Sequence, residues 1–233
     1  MENSLSSVEF AANPERRCPV VLVLDTSGSM AGESIASLNH GLQVFEQGLR
    51  KDTLASLRVE IAVVTFGDSA RVVDVRGSGS SLTPETAFVT IDNFQMPHLM
   101  AEGSTPMGPA VNLALDLIQD RKELYKRHGI GYYRPWILLV SDGAPDPGWE
   151  SSANRAKAEE QRKGVDVYPV GVDYADFGIL SQFSKNQPLR MSDHRKFGEL
   201  FQWLSDSMSA IANSQPGQQV PLPSTSGWAT YTP

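Results

Sequence analysis

The chain has 233 residues, 40% of them hydrophobic and 20% charged, which excludes a disordered polymer and suits one α/β domain with a full core. A formal net charge of -7 opposes a phosphate backbone, so nucleic acid is not an expected partner. The lone cysteine, Cys18, excludes an internal disulfide and a cysteine-built zinc site, and is expected as a buried thiol. Met1 to Pro14 carry no basic start followed by an apolar stretch, and no run approaches membrane-spanning length. A cytoplasmic setting is therefore expected.

After a polar lead-in over residues 1–17, Pro19-Val-Val-Leu-Val-Leu24 reads as a strand buried on both faces, stopping at Asp25. Ile35, Leu38, Leu42, Phe45 and Leu49 recur at helical spacing, which predicts a helix over Gly32 to Leu49. Leu57 to Phe66 and Ser69 to Val75 are strand-like and flank Gly67-Asp68, the signature of an antiparallel hairpin. Gly77 to Pro84 is predicted as a loop and Phe88 to Ile91 as a brief edge element. A second long helix runs from Pro106 toward Tyr125, its apolar face carried by Val111, Leu115 and Ile118. Pro135 to Val140 repeats the first apolar run and ends at Ser141-Asp142; a helix over Ser151 to Lys163 and a strand over Val165 to Val172 follow. Lys196 to Ala212 closes the pattern with an amphipathic helix. The domain is thus expected over residues 18–212, as a Rossmann-like, doubly wound, mostly parallel sheet with one antiparallel edge strand and helices on both faces. Residues 213–233 are rich in Ser, Gln, Gly and Pro and are expected as a flexible tail.

In open α/β sheets, ligands bind beyond the carboxyl ends of the strands. Two apolar strands here end in carboxylates, at Asp25-Thr-Ser-Gly-Ser29 and at Asp142, and Gly103-Ser-Thr-Pro106 opens a helix between them. Asp25, Ser27, Ser29, Thr105 and Asp142 together offer two carboxylates and three hydroxyls. An all-oxygen set of this kind suits Mg²⁺ first, with Ca²⁺ or Mn²⁺ as alternatives, rather than zinc or copper. Weak hydroxyl ligands leave the ion able to take a carboxylate or phosphate oxygen from elsewhere. Ser104 and Ser141 read as caps or turn residues, and Asp173 and Asp176 reach the same edge, Asp176 as a helix cap. The four histidines, His40, His98, His128 and His194, have no ligand spacing. Arg121-Lys122 and Lys126-Arg127 are expected to be solvated near a helix C-terminus.

The order Asp25-x-Ser27-x-Ser29, then Thr105, then Asp142 resembles the metal-ion-dependent adhesion site of von Willebrand factor A domains, matching at all five positions over about Pro19 to Ala212. The resemblance implies the sheet order 3-2-1-4-5-6 with the third strand antiparallel. It also implies hydroxyl ligation by Ser27, Ser29 and Thr105, with Asp25 and Asp142 acting directly or through water. Gly28 reads as the residue that lets the backbone turn tightly between the two serines, and Gly143 as relief of crowding after Asp142. Gly103-Ser-Thr-Pro-Met-Gly108 and Ser141-Asp-Gly-Ala-Pro145 look most like bacterial TerY-type proteins of tellurium-resistance and stress operons, which implies a kinase or phosphatase encoded nearby as partner. The function implied is non-enzymatic capture of an acidic group through the metal. The alternative is a Mg²⁺-dependent phosphohydrolase with Asp25 as nucleophile, although Ser27 stands where that chemistry wants a second aspartate.

Overall fold

A computed structural model describes residues 5–231 other than 78, 80, 81, 192 and 216. In chain order the helices are α1 (Leu5–Ala12), α2 (Glu33–Arg50), α3 (Thr53–Arg58), α4 (Pro84–Ala87), α5 (Met107–His128), α6 (Glu150–Gln161), α7 (Phe177–Leu180) and α8 (Phe197–Ala212). The strands are β1 (Cys18–Asp25), β2 (Val59–Phe66), β3 (Ala70–Val72), β4 (Val89–Thr90), β5 (Trp136–Ser141), β6 (Asp166–Val172), β7 (Leu189–Met191) and β8 (Thr230–Tyr231).

The sheet runs β3-β2-β1-β5-β6-β7-β8, with β4 also on β2. β1, β2, β5, β6 and β7 pair in parallel, while β3 and β4 lie antiparallel on the outer side of β2. Set against the expected order of six strands, the match is complete once the short β4 and the terminal β8 are set aside. Every residue of β1 and of β2 is buried, as continuous β-branched runs predict for strands covered on both faces. Alternation divides them: Val20, Leu22 and Leu24 join the layer of α2 and α8, whereas Val21 and Val23 meet α5 and α6.

Three features differ from the sequence reading. The lead-in holds a helix, α1, docked through Phe10 against Leu124 and Tyr125. The second strand begins at Val59, because Asp52 caps α3 by accepting from Leu54 N and Ala55 N at 3.0 Å each and so carries Leu57 and Arg58 into the helix. The strand expected over Ser69 to Val75 narrows to Ala70–Val72. The loop expected over Gly77 to Pro84 lies partly outside the described residues.

Arg121 is not solvated. It is buried with Arg17 and Glu60 at the amino end of the parallel strands. Arg121 Nε donates to Glu60 Oε2 at 2.8 Å, Arg17 Nε to Glu60 Oε1 at 2.6 Å, and Arg121 also reaches Glu9 of α1 at 2.9 Å. Tyr125 donates its hydroxyl to Glu60 as well. One buried carboxylate thus holds two buried guanidiniums and ties β1, β2, α5 and α1 together.

The residues beyond Ala212 also depart from expectation: those described form a strap over the α8 face. Tyr133 Oη donates to Ser214 O at 2.6 Å, Trp203 Nε1 to Pro223 O at 2.9 Å and Lys196 Nζ to Gly227 O at 2.8 Å. Trp228 is buried with its ring 5.9 Å from that of Trp203, and β8 pairs antiparallel with β7. Composition argued for a tail because one tryptophan among many polar residues says little; here that tryptophan supplies the apolar area that anchors the strap. Trp228→Ala is expected to cost about 2 kcal/mol, below a usual tryptophan deletion because the strap can detach. Hydrogen exchange checks it: residues 214–231 should lose protection together while β1 and β2 keep theirs.

Among the described residues no helix is long and apolar enough to cross a membrane. Cys18 is buried beside Met208, as expected, and burial with the nearby Glu60 charge pushes its thiol up to about 12, so it is inert.

Candidate metal centre

β1 and β5 are neighbours, so their carboxyl ends deliver Asp25 and Ser141-Asp142 side by side. Asp25 closes β1 and is buried. Its Oδ1 accepts from the Ser27 backbone N–H at 2.8 Å and its Oδ2 from the Ser141 hydroxyl at 2.6 Å. From there a chain of oxygens leads outward: Ser27 Oγ lies 3.0 Å from Ser29 Oγ, and Ser29 Oγ donates to Asp142 Oδ1 at 2.7 Å. Four of the five residues singled out from sequence are therefore in one hydrogen-bonded cluster.

Thr105 reaches the cluster through its loop. Gly28 N–H donates to Gly103 O at 3.1 Å, and Glu102 N–H to Thr26 O at 2.7 Å, which lays the 102–105 segment along the first motif. Asp146 then fixes Thr105 from the other side: its Oδ1 accepts from Thr105 N–H at 3.2 Å, its Oδ2 from the Ser104 hydroxyl at 2.8 Å, and its own N–H donates to Thr105 O at 2.9 Å. No side-chain hydrogen bond among the described residues joins Thr105 to the other four.

Asp146 escapes the sequence reading, and Ser141 has another role than the cap or turn expected of it. Ser141 links Asp25 to β5, more than a turn residue would, and Asp146 latches the threonine loop. The position of Ser141 between an apolar strand and Asp142 was a usable signal; nothing local marks Asp146. The glycines also change roles. A Cβ at Gly28 would sit 3.5 Å from Gly103 O, and at Gly143 4.0 Å from Ser29 Oγ, ordinary contacts that demand no glycine. Gly103 is the constrained one: its φ is +81°, and a Cβ there would collide with the backbone of Gly67 and Asp68.

Electrostatics ask for a cation here. Burial raises the Asp25 carboxyl to about 6, against the lowering effect of hydrogen bonds from Ser141 and Ser27, with Asp142 adding a further upward push. Burial also raises Asp142, opposed by the Ser29 hydrogen bond and reinforced by Asp173. Two carboxylates that burial penalises, beside neutral hydroxyls, form a site where a divalent cation would favour the ionised forms. Oxygen-only donors fit a hard ion. Among the described residues no group of three His, Cys, Asp or Glu side chains is placed to hold a metal; the candidate donors at this edge are two carboxylates and three hydroxyls.

At the rim, Asp176 caps α7 by accepting from Ile179 N–H at 2.9 Å, as expected, and Asp173 lies 3.1 Å from His194 Nδ1. The other histidines, His40, His98 and His128, are exposed.

A family model for the von Willebrand factor type A domain matches residues 20–203. Among solved structures, the vWF domain of the type V pili tip protein Mfa5 from Porphyromonas gingivalis is similar at TM-score 0.61 and 12% identity, over 88% of this chain and 99% of that one. The von Willebrand factor type A protein from Catenulispora acidiphila is similar at TM-score 0.59 and 16% identity, over 84% of this chain and 43% of that one. Proximal thread matrix protein 1 from the mussel byssus, with a zinc-occupied MIDAS motif, is similar at TM-score 0.56 and 14% identity, over 82% and 48%. The chain thus spans about half the length of the last two. No curated protein sequence matches it. At these identities the structures attest the fold, and the family model spans most of the sequence: the chain belongs to the von Willebrand factor type A domain family.

Proposed function

We propose that Asp25, Ser27, Ser29, Thr105 and Asp142 hold one divalent cation, Mg²⁺ before Mn²⁺ or Ca²⁺, and that the site captures a carboxylate or phosphate of a protein partner. The observation that carries this reading is the hydrogen-bonded cluster from Asp142 through the Ser29 and Ser27 hydroxyls and on, through the Ser27 backbone N–H, to the buried Asp25. In it the hydroxyls of Ser27, Ser29 and Thr105 ligate. Asp25, with each oxygen engaged by Ser141 or Ser27, supplies charge and orients Ser27 from behind. Asp142 stands further out, half-buried, where it meets the ion directly or through water. Bound there, the ion would offer a Lewis-acidic position to an incoming oxygen. Zinc occupies the motif in the mussel protein; the hydroxyl and carboxylate donors of this chain favour a harder ion.

The same geometry argues against a phosphohydrolase. A nucleophilic Asp25 would need an exposed oxygen, yet it is buried and hydrogen-bonded at both. The reading is therefore a non-enzymatic interaction module over residues 18–212, with α1 and the strap as attachments. The loops Gly103–Gly108 and Ser141–Pro145 support placing it with TerY-type proteins of a cytoplasmic tellurium or stress response, with a kinase or phosphatase as partner.

Acetate tests the capture step without a known partner. Added to the Mn²⁺-loaded chain, it should lower water-proton relaxation enhancement as it replaces metal-bound water. Unchanged relaxation up to molar acetate would refute capture through the ion.

A further inference from the structure

Three large apolar side chains stand exposed among the described residues, Met100, Tyr174 and Leu222, and two of them bracket the metal rim. Tyr174 is 97% exposed. It follows Asp173, a non-glycine residue at φ 49°, a conformation that persists only where its surroundings enforce it. Those surroundings are visible: Asp173 N–H donates to Met191 O at 3.2 Å and its carboxylate meets His194. Asp173 is also close enough to Asp142 for its charge to act there. Met100 is 72% exposed, in the loop whose Glu102 bonds Thr26 where the ends of β1 and β2 meet. Leu99 beside it is clamped by Asn39 through both its N–H and its C=O, at 2.8 and 2.9 Å. Both apolar groups are thus held on short, anchored loops either side of the site.

Acidic side chains outnumber basic ones around them, the cations including Arg71 beside Glu102 and Arg190 over the Phe177 ring. Asp68, Glu102, Asp146, Asp173 and Asp176 surround the centre, all exposed or half-buried. Arg71 answers Glu102 only at 3.9 Å with both side chains largely in solvent, and the Asp173 carboxylate meets a histidine. A divalent ion offsets Asp25 and Asp142 and leaves this outer ring acidic. A uniformly acidic partner would be repelled by the ring that surrounds its anchor point.

We propose that the partner presents one carboxylate within an otherwise basic and apolar segment. The carboxylate takes the ion, lysine or arginine side chains face the outer ring, and apolar side chains cover Met100 and Tyr174, which act as the specificity-determining contacts. The inference rests on the metal reading above and adds the chemistry of what surrounds the captured oxygen.

Fluorescein-labelled heptapeptides test it by anisotropy on the full chain with Mn²⁺. The probe Leu-Lys-Phe-Asp-Phe-Lys-Leu is compared with the same peptide carrying Glu for Lys, and with one carrying Asn for Asp. The Lys peptide should bind about tenfold or more tighter than the Glu peptide, with the gap shrinking as salt is raised. Tyr174→Ser and Met100→Ser, both at exposed sites that leave the core intact, should each weaken the Lys peptide about fivefold or more while Mn²⁺ uptake stays unchanged. Equal binding of Lys and Glu peptides, or indifference to both substitutions, with Mn²⁺ and Asp still required, overturns this inference and leaves the metal reading standing. No Mn²⁺ uptake, or an Asn peptide that binds as tightly as the Asp peptide, overturns both.

Discussion

Asp25→Ala is expected to weaken Mg²⁺ and Mn²⁺ binding by about 100-fold or more, by analogy with the loss of groups that orient metal ligands, and to leave the fold in place. The residue sits behind the serines, so its loss removes the charge that holds the cation and the acceptor that fixes the Ser27 backbone at 2.8 Å. The fold tolerates this because the substitution deletes a buried carboxylate along with its two hydrogen bonds, and those effects oppose each other. Calorimetry for the ion and far-UV circular dichroism for the fold check the two halves. Metal affinity within a few fold of wild type would remove Asp25 from the centre.

The largest stability effect is expected at the other pole. Glu60→Gln leaves Arg17 and Arg121 buried with half their partner gone, and breaking such a buried pair costs about 3 to 5 kcal/mol. For a chain of this size that corresponds to a fall in Tm of roughly 10 °C. The same carboxylate gives a pH signature. Burial alone would raise it, but Arg121 and Arg17 hold it below its ordinary value of 4.5. A lowered carboxylate contributes stability that is fully present above the unfolded value and is lost as pH falls through the folded one. Thermal stability should therefore begin to drop below about pH 4.5, and the difference between wild type and Glu60→Gln should narrow there. Melting curves that coincide at neutral pH would show that the network contributes nothing net.

The two poles lie at opposite ends of the parallel strands. β1 joins the two: the structural ions gather at its amino end with that of β2, and the candidate binding oxygens at its carboxyl end with that of β5.

How much of this was legible in sequence follows from which residues obey a period. Val20 to Leu24 and Ile137 to Val140 are continuous apolar runs, and continuous runs that stop at Asp25 and Ser141-Asp142 locate both strand ends. Leu38, Leu42 and Phe45 mark α2 because helical spacing repeats long enough to be unambiguous. The short elements were not legible. Thr53–Arg58 is a single capped turn and a half, too brief for periodicity to show, and its signal was Asp52 as cap. α1 and β8 owe their places to tertiary contacts of Phe10 and Trp228. Glu60 was legible in part, since a charged residue inside a buried strand demands a partner, but that Arg17 and Arg121 would answer it depends on sheet register and helix placement. At the candidate site, the proximity of Asp25, Ser27, Ser29 and Asp142 was legible because strand ends and a three-position motif are local. Thr105 needed the inference that its helix starts at the same edge. Asp146 and Ser141 act on partners across the sheet edge, and Gly103 is constrained by the backbone of a distant turn; such roles exist only once the chain is folded.

The measurement closest to the central claim is a Mn²⁺ titration followed by electron paramagnetic resonance, on wild type and Asp142→Ala. Saturable uptake of one ion per chain that is lost in the variant is the predicted result. No uptake by wild type, or equal uptake by both proteins, would contradict the assignment of this oxygen cluster as a metal centre.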